Sequence, residues 1–343
     1  MQKAFNESIE GFLHNEITTK FMFAVVFVLL FILKLLYIKM ARHYKIFDVS
    51  NSRNLHIENT VRGGGIIFWI GMLLYFLTSG FKYPYFFIGL TLISFISFWD
   101  DLFKLPIPSR LSIHFIAISL LLLELSYFSN PVWLIMTMMI LMVGIINASN
   151  FMDGVNGMMV CNGIVVVGSL WFINNYYLKF VDDNFIIYAL LGLIVFAFFN
   201  FKTKATCFAG DVGSISLGFI ISFLLMKLIL RDNNLIYILF LAVYGVDSIL
   251  TIAHRIFLKE NIFKPHRLHL FQIIVCKLGI NHLIVSTIYM IIQLIVCIII
   301  ILNLKQSIEV QLTIGIFIIL VLGLFYLIIR LRLSKMQNID LLN

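Results

Sequence analysis

The chain has 343 residues, of which 61% are hydrophobic and only 12% are charged, whereas soluble domains carry about 25% charged residues. Its mean hydropathy of +1.02 is too high for one soluble core, because a surface facing water needs polar groups. The composition excludes a soluble enzyme, a nucleic-acid-binding domain and a disordered chain, even though the net charge is +8. It predicts an all-α, polytopic membrane protein.

Long apolar runs predict about eleven transmembrane helices of about 17–23 residues each. They are centred on 20–38, 65–80, 83–99, 111–129, 131–147, 158–175, 185–200, 213–230, 234–252, 282–303 and 310–330. The first run is too long for the core of a signal peptide and precedes Lys39 and Arg42, so it predicts an uncleaved span. We expect one membrane-embedded domain over 1–343, with cytoplasmic loops at about 39–64, 100–110, 147–157, 201–212 and 253–281.

The distribution of basic residues predicts the orientation of the helices. With the N-terminus outside, 17 of the 25 Lys and Arg residues fall in inside segments, seven fall outside, and Lys34 lies within the first span. Because Lys and Arg collect in cytoplasmic loops, this asymmetry predicts an outside N-terminus and a cytoplasmic C-terminus.

Acidic residues are few, 17 in all, and five of them lie at the predicted inner membrane boundary: Asp100, Asp101, Asp153, Asp211 and Asp247. Acidic groups this close to hydrocarbon are costly, so they predict a functional site. Two structural alternatives stay open. Asp211 could be the N-cap of the following helix, with Ser214 in its first turn, and Asp247 could form a structural bridge with Arg255 or Lys259.

Polar residues also recur at the end of the fifth predicted span. Asn147, Asn150 and Asp153 are spaced three residues apart, so on a helix they fan over one side. The glycines Gly154 and Gly157 follow directly. Core packing explains such a group poorly, and we expect it to belong to the site.

The chemistry of these residues favours phosphoryl transfer. Mg²⁺ takes oxygen ligands, often one or two carboxylates completed by substrate phosphates. The turn at 210–214 leads into a helix N-terminus, whose free N–H groups attract phosphate. The loop at 253–281 adds partners for anions, among them His254, Arg255, Lys264, His266, Arg267 and His269. Such a set acts by positioning and charge stabilisation, with a lipid phosphate as acceptor and a water-soluble donor.

Five motifs, in chain order, resemble those of the polyprenyl-phosphate N-acetylhexosamine-1-phosphate transferases (glycosyltransferase family 4). They are Arg62-Gly63-Gly64-Gly65, Asp100-Asp101, Asn147-x-x-Asn150-x-x-Asp153-Gly154, Gly210-Asp211-x-Gly213-Ser214-x-x-x-Gly218 and Pro265-His266-Arg267-Leu268-His269. The resemblance implies helices around a cytoplasmic-face active-site cleft in the bacterial cytoplasmic membrane. It implies that undecaprenyl phosphate attacks the sugar-linked phosphorus of a UDP-activated N-acetyl sugar and releases UMP.

The same resemblance implies roles for single residues. Asp211 would be the principal Mg²⁺ ligand, with Mn²⁺ as a substitute ion, and Asp153 would assist in the metal and nucleotide site. Asp100 and Asp101 would orient or deprotonate the lipid phosphate, and His269 would contact the donor diphosphate. The expected substrate-binding residues are Arg62, Asn147, Asn150, Gly154, Asn156, Phe208 (stacked on uracil), Ser214, Arg255, His266 and Arg267.

Two departures from the family pattern bear on the substrate. Asn156 stands where the family commonly has a second acid, so we expect no metal role there and tolerance of Asn156→Asp. His269 is followed by Leu270, Phe271 and Gln272, which resembles the branch that initiates O-antigen (WbpL-like) more than the peptidoglycan enzyme.

The resemblance therefore favours transfer of GlcNAc-1-phosphate, or of a 6-deoxy relative, to start a cell-surface polysaccharide. The expected partners are a UDP-sugar, undecaprenyl phosphate and the bilayer, without nucleic acid, and a homodimer is left open. Two alternatives stay open for the function: a phospho-MurNAc-pentapeptide transferase and, from a different class, a polytopic transporter. The transporter is the less favoured, because the acidic residues lie at the membrane face and not in the middle of the spans.

Overall fold

In a computed structural model, the protein is described over residues 2–48, 60–261 and 267–340. Within these ranges it is all-α, as the composition predicted. The helices are α1 (Gln2–His43), α2 (Ile66–Thr78), α3 (Pro84–Phe103), α4 (Ile107–Glu124), α5 (Val132–Phe151), α6 (Met158–Tyr176), α7 (Asp183–Asn200), α8 (Gly210–Asp232), α9 (Ala242–Phe257), α10 (Leu270–Leu278), α11 (His282–Leu302) and α12 (Ile308–Asp340). Two 3-10 helices, Tyr127–Ser129 and Leu235–Leu241, precede α5 and α9.

The helices coincide with the predicted membrane spans. Ten helical segments of the described chain are long and apolar enough to cross a membrane. The remaining predicted span, 65–80, corresponds to α2, which has only 13 residues. The chain is thus a multi-pass membrane protein. The nine-residue helix α10 lies in the loop at 253–281 and was not predicted from the sequence, because its length is below that of a span.

Helix α8 forms the centre of the bundle, with 17 of its 23 residues buried. Small residues let its neighbours approach closely, as is usual between membrane helices. On one side, Ser216 of α8 is joined to Ser94 of α3 by a hydrogen bond of 2.7 Å between their hydroxyls. On the other side, Gly218 packs against Ile146 and Ser149 of α5. The N-terminal half of α8 is therefore packed between α3 and α5.

The outer helices present apolar side chains to their surroundings. Helix α12 carries large exposed residues such as Phe317, Leu320 and Phe325, and α1 carries Val28 and Leu36. Patches of this size on a soluble protein would drive aggregation, whereas in a membrane they face lipid tails. The carboxylates of Asp101 and Asp211 instead lie at the ends of their helices. The C-terminal ends of α3 and α5 and the N-terminal end of α8 lie together at one end of the bundle.

Candidate active site

A pocket of about 240 Å³ lies where several loops meet at the N-terminal end of α8. Stretches that are far apart in the sequence contribute to it, from the first loop to the start of α11. Eight of the predicted site residues line it: Arg62, Asn150, Asp153, Gly154, Asn156, Phe208, Asp211 and Arg267. The structure therefore brings together the core of the predicted site.

Asp101 holds the beginning of α8. Its carboxylate accepts the backbone N–H groups of Asp211 at 2.9 Å and Val212 at 3.1 Å, and it pairs with Arg62 Nε at 2.7 Å. The side chain is fully buried. A carboxylate is favourable here because the helix N-terminus carries partial positive charge. The sequence suggested that these N–H groups would attract a substrate phosphate, but the structure gives two of them to Asp101.

Asp100 is held by a different set of partners. One carboxylate oxygen accepts the N–H of Leu105 at 2.6 Å, and the other pairs with Arg110 at 2.5 Å. Arg110 also reaches the carboxylate of Asp211 at 3.5 Å. Asp100 therefore acts on the pocket through Arg110, a residue that the motifs did not identify.

Asp211 lies inside the first turn of α8, and the N-cap position is taken by Ala209. The alternative that Asp211 is the N-cap is therefore wrong. Its carboxylate instead lies near Asn150 at 3.3 Å and near Arg62 and Arg110 at 3.5 Å each. These contacts are at the outer limit of hydrogen bonding, so the carboxylate keeps the capacity to bind a ligand in the pocket.

Asp153 is the second carboxylate of the pocket. Its pKa is raised to about 7, mainly by burial and also by the negative charges of Asp211 and Asp101, against the opposite effect of Arg62. Two carboxyl groups that destabilise each other's charge favour a cation between them. Across the described residues, no group of three or more His, Cys, Asp or Glu could hold a metal ion. The two carboxylates fit Mg²⁺, which often takes one or two protein carboxylates and completes its shell with substrate phosphates and water.

The Arg62-Gly63-Gly64-Gly65 motif packs directly on the loop before α8. The N–H groups of Gly64 and Gly65 donate to the carbonyl groups of Phe208 and Ala209 at 2.8 and 2.9 Å. A Cβ on Gly64 would overlap Cys207 Sγ, and one on Gly65 would overlap the backbone of α8. These glycines are needed for close backbone approach, which places Arg62 beside the carboxylates.

Helix α1 also holds the Arg62-Gly63-Gly64-Gly65 segment in place. The Lys34 ammonium is fully buried and donates to the Gly64 carbonyl at 2.6 Å, while the Tyr37 hydroxyl donates to the Arg62 carbonyl at 2.7 Å. Lys34 also lies 4.7 Å from the ring centre of Phe196, a cation–π arrangement that helps a buried charge. The first span thus anchors the loop that carries Arg62.

The three polar residues at the end of α5 have different surroundings. Asn150 donates to Ser214 Oγ at 2.9 Å as well as approaching Asp211. Asn147 donates to the Val143 carbonyl of its own helix at 2.8 Å and does not line the pocket. Ser214 is fully buried, so the structure places it behind Asn150 and away from the pocket surface.

Asn156 uses its side chain to hold the neighbouring loop. Its amide nitrogen donates to the carbonyl groups of Lys202 at 2.9 Å and Thr203 at 3.1 Å. Gly157, which follows with a left-handed backbone (φ 81°), donates its N–H to Asn200 Oδ1 at 2.8 Å. An amide suits this position because it supplies a donor to two carbonyl oxygens, whereas a carboxylate has none.

Only some of the basic residues in the loop at 253–281 reach the pocket. Arg267 lines the pocket, and His266 lies outside the described residues. Arg255 is buried, pairs with Glu260 at 3.0 Å and donates to the Asn261 carbonyl at 2.6 Å. The structure therefore gives Arg255 partners within its own loop and not in the pocket.

His269 is also buried, with 2% of its side chain exposed, and its Nδ1 lies 3.2 Å from Asp247 Oδ1. Among the described residues, the ion pair of Asp247 is the one with His269, so the alternative of a bridge from Asp247 to Arg255 or Lys259 is wrong. His269 is not among the residues that line the pocket. Its expected contact with a donor diphosphate stays a prediction.

Several pocket residues were missed by the sequence reasoning: Asp48, Asn200, Gln272, Cys276 and His282. Arg110, which joins Asp100 to Asp211, was missed as a site residue as well. Arg110 was counted only as a cytoplasmic charge. None of these residues belongs to a spaced motif, so only the packing of the loops reveals them.

Comparisons with known proteins agree with the motifs. Residues 83–229 match the model of the family Glycosyl transferase family 4. A Bacillus subtilis (strain 168) protein named probable undecaprenyl-phosphate N-acetylglucosaminyl 1-phosphate transferase is 27% identical, over 68% of this chain and 71% of the relative. A Thermotoga maritima protein named undecaprenyl-phosphate alpha-N-acetylglucosaminyl 1-phosphate transferase is 24% identical, over 70% and 76%.

A third relative is named for a different activity. A Petrotoga mobilis protein named phospho-N-acetylmuramoyl-pentapeptide-transferase is 27% identical, over 57% of this chain and 70% of the relative. All three names describe the transfer of a sugar phosphate, or of a sugar phosphate that carries a peptide. The relatives therefore agree on the type of reaction and differ in the donor.

Proposed function

Since the chain belongs to glycosyl transferase family 4, we propose that it transfers an N-acetylhexosamine-1-phosphate group from a UDP-sugar to undecaprenyl phosphate and releases UMP. The sugar would be GlcNAc or a 6-deoxy relative, and the product would start a cell-surface polysaccharide. The observation that carries this proposal is the Asp211 carboxylate, which faces a pocket beside Asp153, Arg62 and Arg267 with only long contacts to protein groups.

The chemical step joins two anionic reactants. An oxygen of the lipid phosphate attacks the sugar-linked phosphorus, a new P–O bond forms, and the bond from that phosphorus to the bridging oxygen breaks as UMP leaves. Positioning and charge stabilisation lower the barrier of such a step. Arg62 and Arg267 line the pocket and supply positive charge to the phosphate oxygens. Phe208, at the pocket wall, offers an aromatic face on which the uracil base would stack.

Asp211 and Asp153 would hold Mg²⁺ or, in its place, Mn²⁺. When bound, the ion offsets part of the repulsion between the phosphates. A lipid phosphate is already largely ionised at neutral pH, so a strong base is unnecessary. We therefore assign Asp101 to orientation and not to deprotonation, because its carboxylate is fully buried and already accepts two backbone N–H groups and pairs with Arg62.

The decisive experiment measures UMP and lipid product from purified protein, undecaprenyl phosphate and Mg²⁺. The donors are UDP-GlcNAc, UDP-GalNAc, their 6-deoxy N-acetyl relatives and UDP-MurNAc-pentapeptide, and Asp211→Asn is the matched negative control. We expect one simple N-acetyl sugar to dominate, because a transferase pocket that hydrogen-bonds one hydroxyl of its sugar would discriminate sharply against the deoxy analogue. The Petrotoga relative makes the pentapeptide the second candidate. Highest turnover with that donor would overturn the sugar assignment, and no UMP from any donor would overturn the transferase.

We also propose that the pocket faces the cytoplasm of a bacterium, in its cytoplasmic membrane. The distribution of basic residues supports this orientation, and a cytoplasmic pocket would have access to nucleotide sugars. Helix α7 (Asp183–Asn200) separates two loops that would then lie on opposite sides. A cytoplasm-active reporter fused after Lys204 should be active, and one fused after Asp183 should be silent. The reverse pattern would contradict the orientation.

A further inference from the structure

Helix α10 forms part of the pocket wall, although it has only nine residues. Gln272 and Cys276 of α10 line the pocket. Gln272 lies against Gly154, where a Cβ would come within 2.8 Å of its amide nitrogen. Since Gly154 directly follows Asp153, α10 borders the proposed metal and donor site. A helix this short is marginal by itself, so its position depends on tertiary contacts.

Asp247 of α9 provides the polar contact at the beginning of α10. Its Oδ1 accepts the N–H of Leu270, the first residue of α10, at 3.1 Å, and lies 3.2 Å from His269 Nδ1. His269 is the N-cap residue of α10, and its own side chain makes no cap hydrogen bond. The Asp247 carboxylate, from the neighbouring helix α9, therefore caps the N-terminus of α10 and also contacts the ring of its N-cap residue.

The carboxylate of Asp247 is itself held from the opposite side. Tyr289 of α11 donates to Oδ2 at 2.8 Å, and Thr251, one turn further along α9, donates to Oδ1 at 3.2 Å. Asp247 is 2% exposed. Buried charges persist in proteins when several donors satisfy them, and here the donors come from α9, α10 and α11. This arrangement fixes one carboxylate at the junction of three elements.

Aromatic packing connects His269 to the turn that carries Asp153. The ring of His269 lies between Phe151 and Phe271, with its centre 5.8 Å from each of theirs. Phe151 ends α5, two residues before Asp153. A displacement of His269 would therefore be felt on both sides of the pocket, in α10 and in the turn that carries Asp153.

We propose that Asp247 is a positioning residue of the pocket: through His269 and the N–H of Leu270 it fixes α10, and so the wall that carries Gln272 and Cys276 to the donor. Asp247 touches no substrate. The identity of the donor rests on the proposed function, whereas the link between Asp247 and α10 rests on the contacts alone. Under this proposal His269 belongs to the same positioning unit and acts on the donor through α10.

Cys276 offers a direct readout of where α10 lies. It is exposed, whereas Cys161, Cys207 and Cys297 are buried. In the purified full-length protein, a maleimide should label Cys276 alone, and Cys276→Ser should abolish this labelling. Val275, the preceding residue of α10, is buried, so a thiol introduced by Val275→Cys in the Cys276→Ser protein should react slowly. In that protein Asp247→Ala removes the cap and should speed the labelling about tenfold, because a buried thiol reacts only when the helix opens locally. Asp247→Asn keeps an oxygen acceptor for Leu270 and should give an intermediate rate.

Steady-state kinetics form the second readout. Asp247→Ala should raise the KM for the UDP-sugar about tenfold and leave the KM for undecaprenyl phosphate unchanged, since α10 and the turn of Asp153 both border the proposed donor site. Ser248→Ala is the matched control: Ser248 is the next residue of α9, is buried, and its hydroxyl has no hydrogen-bond partner among the described residues. We expect it to match the wild type in both assays.

The outcomes separate this proposal from the proposed function. Wild-type labelling rates and donor KM in folded Asp247→Ala and Asp247→Asn proteins would overturn the positioning role. So would a loss of active protein with both KM values unchanged, which a purely structural role would produce. If Asp247→Ala does not fold, Asp247→Asn decides by the same two measurements. If no UDP-sugar gives UMP, the transferase function fails, and maleimide labelling of the Val275→Cys protein still tests whether Asp247 holds α10.

Discussion

The two ends of helix α8 each carry an aspartate, yet only one of them belongs to the candidate site. At the far end, Asp232 accepts a hydrogen bond of 2.5 Å from Tyr237. That end borders a pocket of about 560 Å³ lined largely by apolar residues, including Ile236, Leu239 and Leu312. At the near end, Asp211 lies 3.3–3.5 Å from its nitrogen partners and faces a pocket lined by polar and charged groups.

The difference shows what makes an acidic residue near a membrane functional. Asp232 already accepts a short hydrogen bond from the Tyr237 hydroxyl, and a hydrogen bond to an ionised carboxylate is a strong one. Asp211 is surrounded by cations and amides that are too distant to saturate it, and by a second carboxyl group that raises the cost of its charge. Such a site is prepared for a cation and an anionic substrate.

The largest expected effect is at Asp211. Asp211→Asn should lower turnover by at least about 100-fold and leave a folded protein, because the amide loses the charge that would hold the metal. Asp232→Asn, at the other end of the same helix, should stay within about twofold of the wild type. UMP release under saturating Mg²⁺ measures both. A similar loss of turnover in the two variants would contradict the assignment of the site to the Asp211 end of α8.

The second effect concerns the carboxylate beneath Asp211. Asp101→Asn should lower both turnover and stability, the latter by about 1–3 kcal/mol, because the amide places a donor against the N–H groups of Asp211 and Val212. Asp100→Asn should also impair turnover but cost less stability, since Asp100 has one backbone partner. Thermal unfolding and UMP release separate the two effects. An unchanged Tm in Asp101→Asn would contradict the capping role.

A third test compares two asparagines near the pocket. Asn156→Asp should destabilise the protein by about 1–3 kcal/mol, because a carboxylate would face the carbonyl oxygens of Lys202 and Thr203. The family pattern suggested the opposite, that an acid is tolerated there. The side chain of Asn147 donates to a carbonyl of its own helix. Asn147→Asp should therefore change stability by less than about 0.5 kcal/mol. Equal Tm values would favour the family pattern over the structure.

The smallest effect is a pH dependence that originates from Asp153. Its folded pKa of about 7 lies above the ordinary value of 3.8, so the folded protein retains a proton that the unfolded chain releases. The stabilisation is complete below about pH 3.8 and is lost as the pH rises through about 7. In the presence of a chelator, Tm should fall from pH 5.5 to pH 8, and Asp153→Asn should reduce this slope. An unchanged slope in Asp153→Asn would show that it originates from another group.

Much of the fold was predictable from the sequence because it depends on local composition. Runs of apolar residues identify the spans, since each must cover the hydrocarbon thickness by itself. The helix α10 was missed for the same reason, because a nine-residue helix is stabilised by partners and not by its own length. The motifs also predicted the pocket core, since rare acidic residues at span ends are expensive unless they serve a function.

The sequence by itself determined the core of the site, and the tertiary structure decided which further residues join it and what each of them contacts. Nothing in the spacing indicated that Asp101 caps α8, that Arg110 joins Asp100 to Asp211, or that Asp247 pairs with His269. These contacts join helices that are distant in the chain. Hydrophobic patterning fixes which segments enter the membrane, but only the packing of those segments against one another sets the distances between charged groups, on which hydrogen bonding and pKa depend.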